Sequence, residues 1–387
     1  MEIAKSLTRG TREHGYAVLD AYRYMLRSAN PGSKTALKVD ANGKFKYFFV
    51  AYKAWMLGFA QMRKVIAVDG TFLKSKYEGV LLSAVAQDAE NHVFPVAFCV
   101  VDKECDASYK YFFEQMRSFV DDTKELCIIY DRHQVSKRRF QLSSFISLWL
   151  LHEALGENLR TTFHNTKVVS QFYKAAKSYN IDEFNDHFNQ IRDTVPGAAE
   201  HLERVGFHRW SRDYVIVYFH KYNLMTSNIA ESANSMFNVE REFPITVLFD
   251  AINRRFAEKF HERHMELIDS PNIFVPSIEK KNSKFVNLGN KLLAHQIANY
   301  KFSVIGHGAV ATIDLQSRSC TCRVFDPDKI PCPHAMAALR VQYGDDFGRR
   351  IYDYSSSYYK VENYIIAYCE KICPVPSKNL GKFLWRF

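Results

Sequence analysis

The chain has 387 residues, of which 47% are hydrophobic and 14% aromatic, enough to bury a large core over two or three domains. Its formal net charge of +10 favours a nucleic-acid partner without establishing one. A transmembrane helix is not expected, because no run of about 18 apolar residues occurs. The sequence also opens without an apolar signal segment. Five of its cysteines, Cys99, Cys105, Cys127, Cys369 and Cys373, show no spacing typical of a disulfide framework.

The first predicted unit is a series of three neighbouring strands. Residues 64–68, 80–86 and 93–101 are apolar runs separated by short turns, which is typical of an antiparallel meander. An amphipathic helix is predicted from Asp106, with aromatic residues near helical spacing, and a fourth strand over 126–130. The predicted order is therefore β-β-β-α-β.

Two of these strands end in an acidic residue, Asp69 after the first and Asp131 after the fourth. If the two strands are neighbours in the sheet, the carboxylates lie close together and can share divalent metal ions that activate water. This is the layout of the ribonuclease-H-like core, in which a third carboxylate arrives on a helix. The alternative is that both aspartates are ordinary turn residues at strand ends.

A group of soft metal ligands lies near the carboxyl end in the pattern C-x-C-x9-C-x-H. Its members are Cys320, Cys322, Cys332 and His334. Four such ligands close a tetrahedral zinc site and leave no position for water, so one structural zinc is predicted. Two strands within 302–315 and a helix starting at Pro333 fit this site. The alternative is a chance grouping of buried thiols and a surface histidine.

Several segments, in this order, resemble the transposase domain of plant Mutator-like elements, known as MULE. They are residues 64–82, 84–89, 94–98, 101–108, 130–133, 156–160, 210–212 and 226–235. The cysteine and histidine pattern resembles the SWIM zinc finger, which this family carries after its transposase domain. The resemblance implies an α/β fold: a ribonuclease-H-like DDE core with a helical insertion, followed by a small SWIM finger.

The resemblance also implies a domain organisation. It comprises an amino-terminal extension (1–60), the transposase domain (61–270) with its helical insertion (about 153–225), a linker (271–299), the SWIM finger (300–345) and a tail (346–387).

The acidic triad of the family falls on Asp69, Asp131 and Glu231. Glu231 has an alternative role, since Asn228 three residues earlier could form a capping box with it. Four further residues are candidate DNA contacts: His133, Trp210, Arg254 and Arg255. The alternatives are a polar surface histidine, a core tryptophan and a solvated basic helix face.

Two functions follow as hypotheses. The first is a DNA transposase in the nucleus that uses Mg²⁺ or Mn²⁺ to cut and join DNA by a two-metal mechanism. The second is a catalytically degenerate DNA-binding or transcription-regulating protein derived from one. DNA is the expected partner, self-association is a further option, and no membrane contact is expected.

Two departures from the family favour the second hypothesis. Residues 134–151 resemble the relatives poorly, and Trp149 stands where they carry a cysteine before the histidine that corresponds to His152. The amino-terminal zinc module of the family is also expected to be missing, since residues 1–60 contain no cluster of cysteine and histidine. Weakened cleavage is therefore expected.

Overall fold

The computed structural model describes residues 12–74, 79–121, 126–130, 152–178, 181–207, 210–211, 228–306 and 309–375. Its residues divide into two compact units. The first takes its residues from 1–147, 227–270 and 362–387, and the second from 148–226 and 271–361. Among the helices described, none combines the length and apolar character needed to cross a membrane.

The strands and helices are numbered in chain order. The strands are β1 (Lys34–Val39), β2 (Phe45–Ala51), β3 (Val65–Leu73), β4 (Gly79–Gln87), β5 (Val93–Val101), β6 (Cys127–Tyr130), β7 (Leu293–Ala298), β8 (Lys301–Gly306), β9 (Ala309–Asp314) and β10 (Ser319–Cys320). The helices of the first half are α1 (Arg12–Ala17), α2 (Leu19–Ala29), α3 (Lys53–Ala60), α4 (Asp106–Met116), α5 (His152–Phe163), α6 (Thr166–Lys177), α7 (Ile181–Thr194) and α8 (Pro196–Val205). Those of the second half are α9 (Asn228–Ser235), α10 (Ile245–Leu267), α11 (Pro276–Gly289), α12 (Phe325–Asp328), α13 (Pro333–Tyr343), α14 (Phe347–Tyr354) and α15 (Val361–Tyr368).

A six-stranded sheet forms the centre of the first unit, in the order β1-β2-β5-β4-β3-β6. Its neighbouring strands are antiparallel except for β3 and β6, which run parallel. The predicted meander is β3-β4-β5. The first and fourth predicted strands, β3 and β6, are neighbours in the sheet, as the sequence analysis expects for the two acids.

Residues 1–60 are predicted as an extension outside the transposase domain. Strands β1 and β2 lie within this range, yet they belong to the six-stranded sheet of the first unit. β2 pairs with β5, with Tyr47 opposite Val101. Phe48 and Phe49 point to opposite faces of β2, yet both are buried. A strand that is apolar on both faces needs packed layers above and below its sheet, so this segment belongs to the core.

Aromatic side chains attach the segment after α9 to the sheet. Trp55 is fully buried and lies 5.6 Å from Phe98 and 5.7 Å from Phe256, measured between ring centroids. Phe237, two residues after α9, also contacts Phe98, at 5.9 Å. These contacts hold α9 near β3, β4 and β5.

Residues 346–387 are predicted as a tail. Their described part, residues 346–375, contains helices α14 and α15. Tyr368 in α15 donates its hydroxyl to Asp88 Oδ2 at 2.7 Å and accepts from Arg263 at 2.9 Å. Helix α14 belongs instead to the second unit. A segment that buries Tyr364 and Tyr368 has too much apolar surface to remain outside the core.

Within the second unit, helices α5 to α8 lie where the sequence predicts a helical insertion. They surround an aromatic core formed by Phe172, Phe184, Phe188 and Trp210.

The other part of this unit is a four-stranded antiparallel sheet, β10-β9-β8-β7, with α11 and α13. The predicted linker 271–299 is therefore wrong as a linker, since it forms α11 and β7. Its apolar residues Phe285 and Val286 pack against the core of this sheet.

Candidate metal sites

The four predicted zinc ligands converge in the second unit. Cys320 ends β10, Cys322 lies in the following turn, Cys332 caps the start of α13, and His334 lies in its first turn. Pro333 occupies the first turn of α13, as predicted. One ligand atom from each residue lies within 4.8 Å of those of the other three. A hairpin and a helix start therefore meet around a single point.

Backbone amides already stabilise two of the sulfur atoms. The amide of Cys322 donates to Cys320 Sγ, and the amide of Ala335 donates to Cys332 Sγ, both at 3.4 Å. The neighbouring thiols Cys320 and Cys332 hold the pKa of Cys322 below its usual range, whereas burial raises the pKa of Cys332. Three adjacent thiols cannot all ionise easily unless a cation compensates their charge.

The donor set fits a structural zinc ion. Three sulfurs and one imidazole nitrogen are the ligands zinc prefers, and four protein ligands fill its tetrahedral shell. The cluster adjoins the apolar core of the module, which includes Phe302, Ile313, Met336 and Leu339. The core and the metal ligands thus share the same strands and helix.

A second candidate site lies on the central sheet around Asp69. The parallel pairing of β3 with β6 ends with Val68 beside Tyr130, the residues that precede the first two predicted acids. β3 itself continues to Leu73 through its pairing with β4, so Asp69 is inside the strand rather than at its end. The sequence suggested a strand end because the apolar run stops there, but the backbone pairing does not.

The carboxylate of Asp69 is held by two donors. Its Oδ1 accepts from the amide of Gly70 at 2.9 Å, and its Oδ2 accepts from Nδ2 of Asn234 at 2.7 Å. The pKa of Asp69 is raised to about 6: burial is the largest cause, the charges of Glu231 and Glu104 add to it, and the two donors act against it. The fold thus keeps a carboxylate in a place where ionisation is costly.

Glu231 is brought to Asp69 by α9. The helix contacts β3 and β4, and Asn234, three residues after Glu231, reaches the Asp69 carboxylate. The side chain of Glu231 is exposed, and its charge acts on Asp69. The first and third predicted acids are therefore close enough to interact.

Glu104 is a further carboxylate near Asp69 that the sequence analysis missed, and its charge raises the pKa of Asp69. It accepts a hydrogen bond from the Tyr109 hydroxyl at 2.7 Å. A Cβ added at Gly70 would lie 3.0 Å from its Oε1, so the missing side chain at Gly70 leaves room for Glu104. Glu104 lies within residues 101–108, which resemble the family. The acidic triad of the family does not include this position, so the sequence gives no signal for it.

The structure also bears on the second predicted acid and on the predicted DNA contacts. Asp131 and His133 lie outside the described residues. Arg254 is exposed on α10, whereas Arg255 is paired with Glu240 at 2.8 Å and also donates to the carbonyl of Met236. Arg255 is thus committed to contacts within the protein.

Trp210 is wrong as a DNA contact. Its side chain is fully buried, and its indole nitrogen donates to the carbonyl of Leu202 at 3.2 Å. Phe172 and Phe184 lie against the ring at centroid distances of 5.2 and 5.6 Å. A ring enclosed in this way cannot stack on a base, and the alternative of a core tryptophan holds.

Comparisons with known protein families agree with both halves of the resemblance. Residues 65–143 match the family model of the MULE transposase domain, and residues 310–343 match that of the SWIM zinc finger. No curated protein matches the chain. The chain therefore contains a segment similar to the MULE transposase domain and a segment similar to the SWIM zinc finger, whose predicted ligands converge in the structure.

Proposed function

We propose that the first unit contains a ribonuclease-H-like DDE centre that cuts and joins DNA, and that the SWIM finger is a structural zinc module. The strand order β5-β4-β3-β6 supports this fold, because three antiparallel strands are followed by one parallel to the first. The helical segment 152–205 and α9 follow β6 in the chain, in the order that the family resemblance implies.

One observation carries the proposal: α9 brings Glu231 near enough to Asp69 for its charge to raise the pKa of Asp69. Val68 and Tyr130 form the last described pair, and the residue that follows each in the sequence is a predicted acid, Asp69 or Asp131, of which Asp131 lies outside the described residues. Glu231 approaches Asp69 from α9, and Glu104 approaches from the start of α4. Like charges gain nothing from this arrangement unless a cation joins them.

The donor set suits Mg²⁺ or Mn²⁺, which prefer carboxylate oxygens. Asp69 and Glu231 are the residues that would hold the ion, together with Asp131 as the third proposed ligand. Bound ions supply Lewis-acid activation of the attacking oxygen and neutralise charge on the phosphate. The protein itself keeps the Asp69 carboxylate oriented through Gly70 and Asn234.

An exposed aromatic ring lies on the same strand as Asp69, on the other face of the sheet. Phe72 lies three residues after Asp69 on β3 and its side chain is 63% exposed, beside the exposed Lys74. An aromatic ring of this kind can stack on an unpaired base, the role that Trp210 cannot fill. Arg254 and the net charge of +10 add attraction to the phosphate backbone. Because its proposed substrate is DNA, we place the protein in the nucleus as part of this proposal.

The test is divalent-metal-dependent nicking of supercoiled plasmid DNA by the purified chain. Nicking with Mg²⁺ or Mn²⁺ that is lost in Asp69→Asn and in Glu231→Gln supports the proposal. Asp102→Asn is the matched control, because Asp102 pairs with Lys46 and takes no part in the cluster. A chain that binds DNA but does not nick it with either metal overturns the catalytic proposal and favours a DNA-binding regulatory protein.

A further inference from the structure

Asn234 connects the two elements that carry Asp69 and Glu231. It lies on α9 and is 7% exposed. Its Nδ2 donates to Asp69 Oδ2 at 2.7 Å, while its Oδ1 accepts from the Ser83 hydroxyl at 2.9 Å. One side chain thus joins α9 to both β3 and β4.

Asp69 and Ser83 together hold the Asn234 amide in one orientation. Ser83 is fully buried and lies opposite Asp69 on the neighbouring strand. Its hydroxyl also lies 3.2 Å from the main-chain oxygen of Asp69, so it is a donor placed between two acceptors. Because an ionised carboxylate only accepts, the amide NH₂ group faces Asp69, and the amide oxygen is left to accept from this hydroxyl. The reversed amide would set an oxygen against Asp69.

We propose that Asn234 is a positioning residue of the acidic site and that Ser83 acts through it. The amide fixes the Asp69 carboxylate and the place of α9, so that Asp69 and Glu231 face the same divalent ion. This inference rests on the metal-binding function proposed above. Partners that orient a metal ligand typically account for about 10- to 100-fold in metal affinity.

A purely structural role makes a different prediction. If Asn234 only packs α9 on the sheet, a leucine of similar volume retains the packing and the metal affinity. If the amide orients the carboxylate, leucine keeps the helix in place but removes the donor. Asn30 gives a matched control in the same unit, since it is also 7% exposed and makes its hydrogen bonds to Leu26 and Cys373.

The experiment measures Mn²⁺ affinity of the full-length zinc-loaded chain by calorimetry and by electron paramagnetic resonance. We expect Asn234→Leu to weaken binding about 10- to 100-fold and Ser83→Ala to weaken it less, because the amide can then turn over. Ser83→Ala should add nothing in the Asn234→Leu background, since both act on one carboxylate. Asn30→Leu should leave the affinity unchanged.

The failures are distinguishable. Wild-type protein that binds Mn²⁺ no better than Asp69→Asn shows that the proposed metal function itself is wrong, and the inference falls with it. Wild-type binding that is retained in Asn234→Leu overturns the positioning role alone. If Asn234→Leu does not fold, Ser83→Ala decides: unchanged Mn²⁺ affinity and an unchanged Mn²⁺ spectrum overturn the proposal, and weakened binding supports it.

Discussion

The zinc cluster and the acidic site are assembled over different distances along the chain. Cys320 and His334 are 14 residues apart, whereas Asp69 and its partner Asn234 are separated by 165. The zinc ligands come from one hairpin and the following helix start. The acidic residues come from β3, from the start of α4 and from α9, which follows the helical segment.

The difference shows what holds each site in place. A short segment with four soft ligands folds around its metal, and the metal supplies much of the free energy of folding. The acidic residues repel one another, so their proximity must be imposed by the sheet and by buried aromatic residues such as Trp55 and Phe237. Loss of a zinc ligand should therefore unfold the zinc module, whereas loss of an acidic residue should leave the fold of the first unit intact.

The largest effect is expected for Cys332→Ser. Cys332 is fully buried and caps α13, so its loss removes a zinc ligand and a helix cap together. Because zinc contributes about 10 kcal/mol or more to folding of such modules, we expect loss of zinc and unfolding of the module. The measurements are zinc content by mass spectrometry and circular dichroism. Cys369→Ser, at an exposed cysteine outside the cluster, should retain zinc. Full zinc occupancy in Cys332→Ser would contradict the assignment.

Asp69→Asn should have the next largest effect, on metal binding rather than on folding. If Asp69 holds the ion as proposed, removing its carboxylate should weaken Mn²⁺ binding at least about 100-fold, more than loss of an orienting partner does. Titration calorimetry measures the affinity, and Asp102→Asn serves as the control. Equal Mn²⁺ affinity in Asp69→Asn and the wild type would remove Asp69 from the site.

The pH dependence of stability should reveal the raised pKa of Asp69. In the folded protein this pKa is about 6, against an ordinary value of 3.8, so the folded state binds the proton more tightly than the unfolded state. Its contribution to stability is present below pH 4 and is lost as the pH rises to 6. Without divalent metal, Asp69→Asn should therefore be more stable than the wild type at pH 7.5, by roughly 1–3 kcal/mol.

Urea unfolding at pH 4.5 and at pH 7.5 measures this difference in the free energy of unfolding. The advantage of the variant should shrink at the lower pH, where the wild-type carboxyl is largely protonated in the folded state. An advantage of the same size at both pH values would argue against a buried, protonated Asp69.

The smallest effect is expected for Glu104→Gln. The glutamine still accepts from Tyr109 but removes one negative charge near Asp69, so the pKa of Asp69 should fall. Stability without metal should rise slightly at neutral pH, while Mn²⁺ affinity should fall less than in Asp69→Asn, because Glu104 would act on the ion only through its nearby charge. Glu114→Gln on α4, at a glutamate paired with Lys110, is the control. If stability and Mn²⁺ affinity changed in the same direction in Glu104→Gln, the charge of Glu104 would not act on the metal site.

The sequence by itself determined the local features of this protein. The spacing of Cys320, Cys322, Cys332 and His334 and the Pro333 helix start are readable because their partners lie within a few residues. The strands β3 to β6 are readable for the same reason, since their apolar runs are bounded by turns. The neighbouring positions of β3 and β6 were a condition of the sequence argument, and the pairing in the structure meets it.

Only the tertiary structure decided which distant residues meet. Glu104 joins the acidic site because Gly70 leaves space beside β3, and Asn234 reaches Asp69 because Phe237 fixes the end of α9 on the sheet. Trp210 is enclosed by Phe172 and Phe184 instead of facing DNA, and residues 34–51 complete a sheet rather than extend from it. Such contacts depend on packing between remote segments, and no local pattern of residues encodes them.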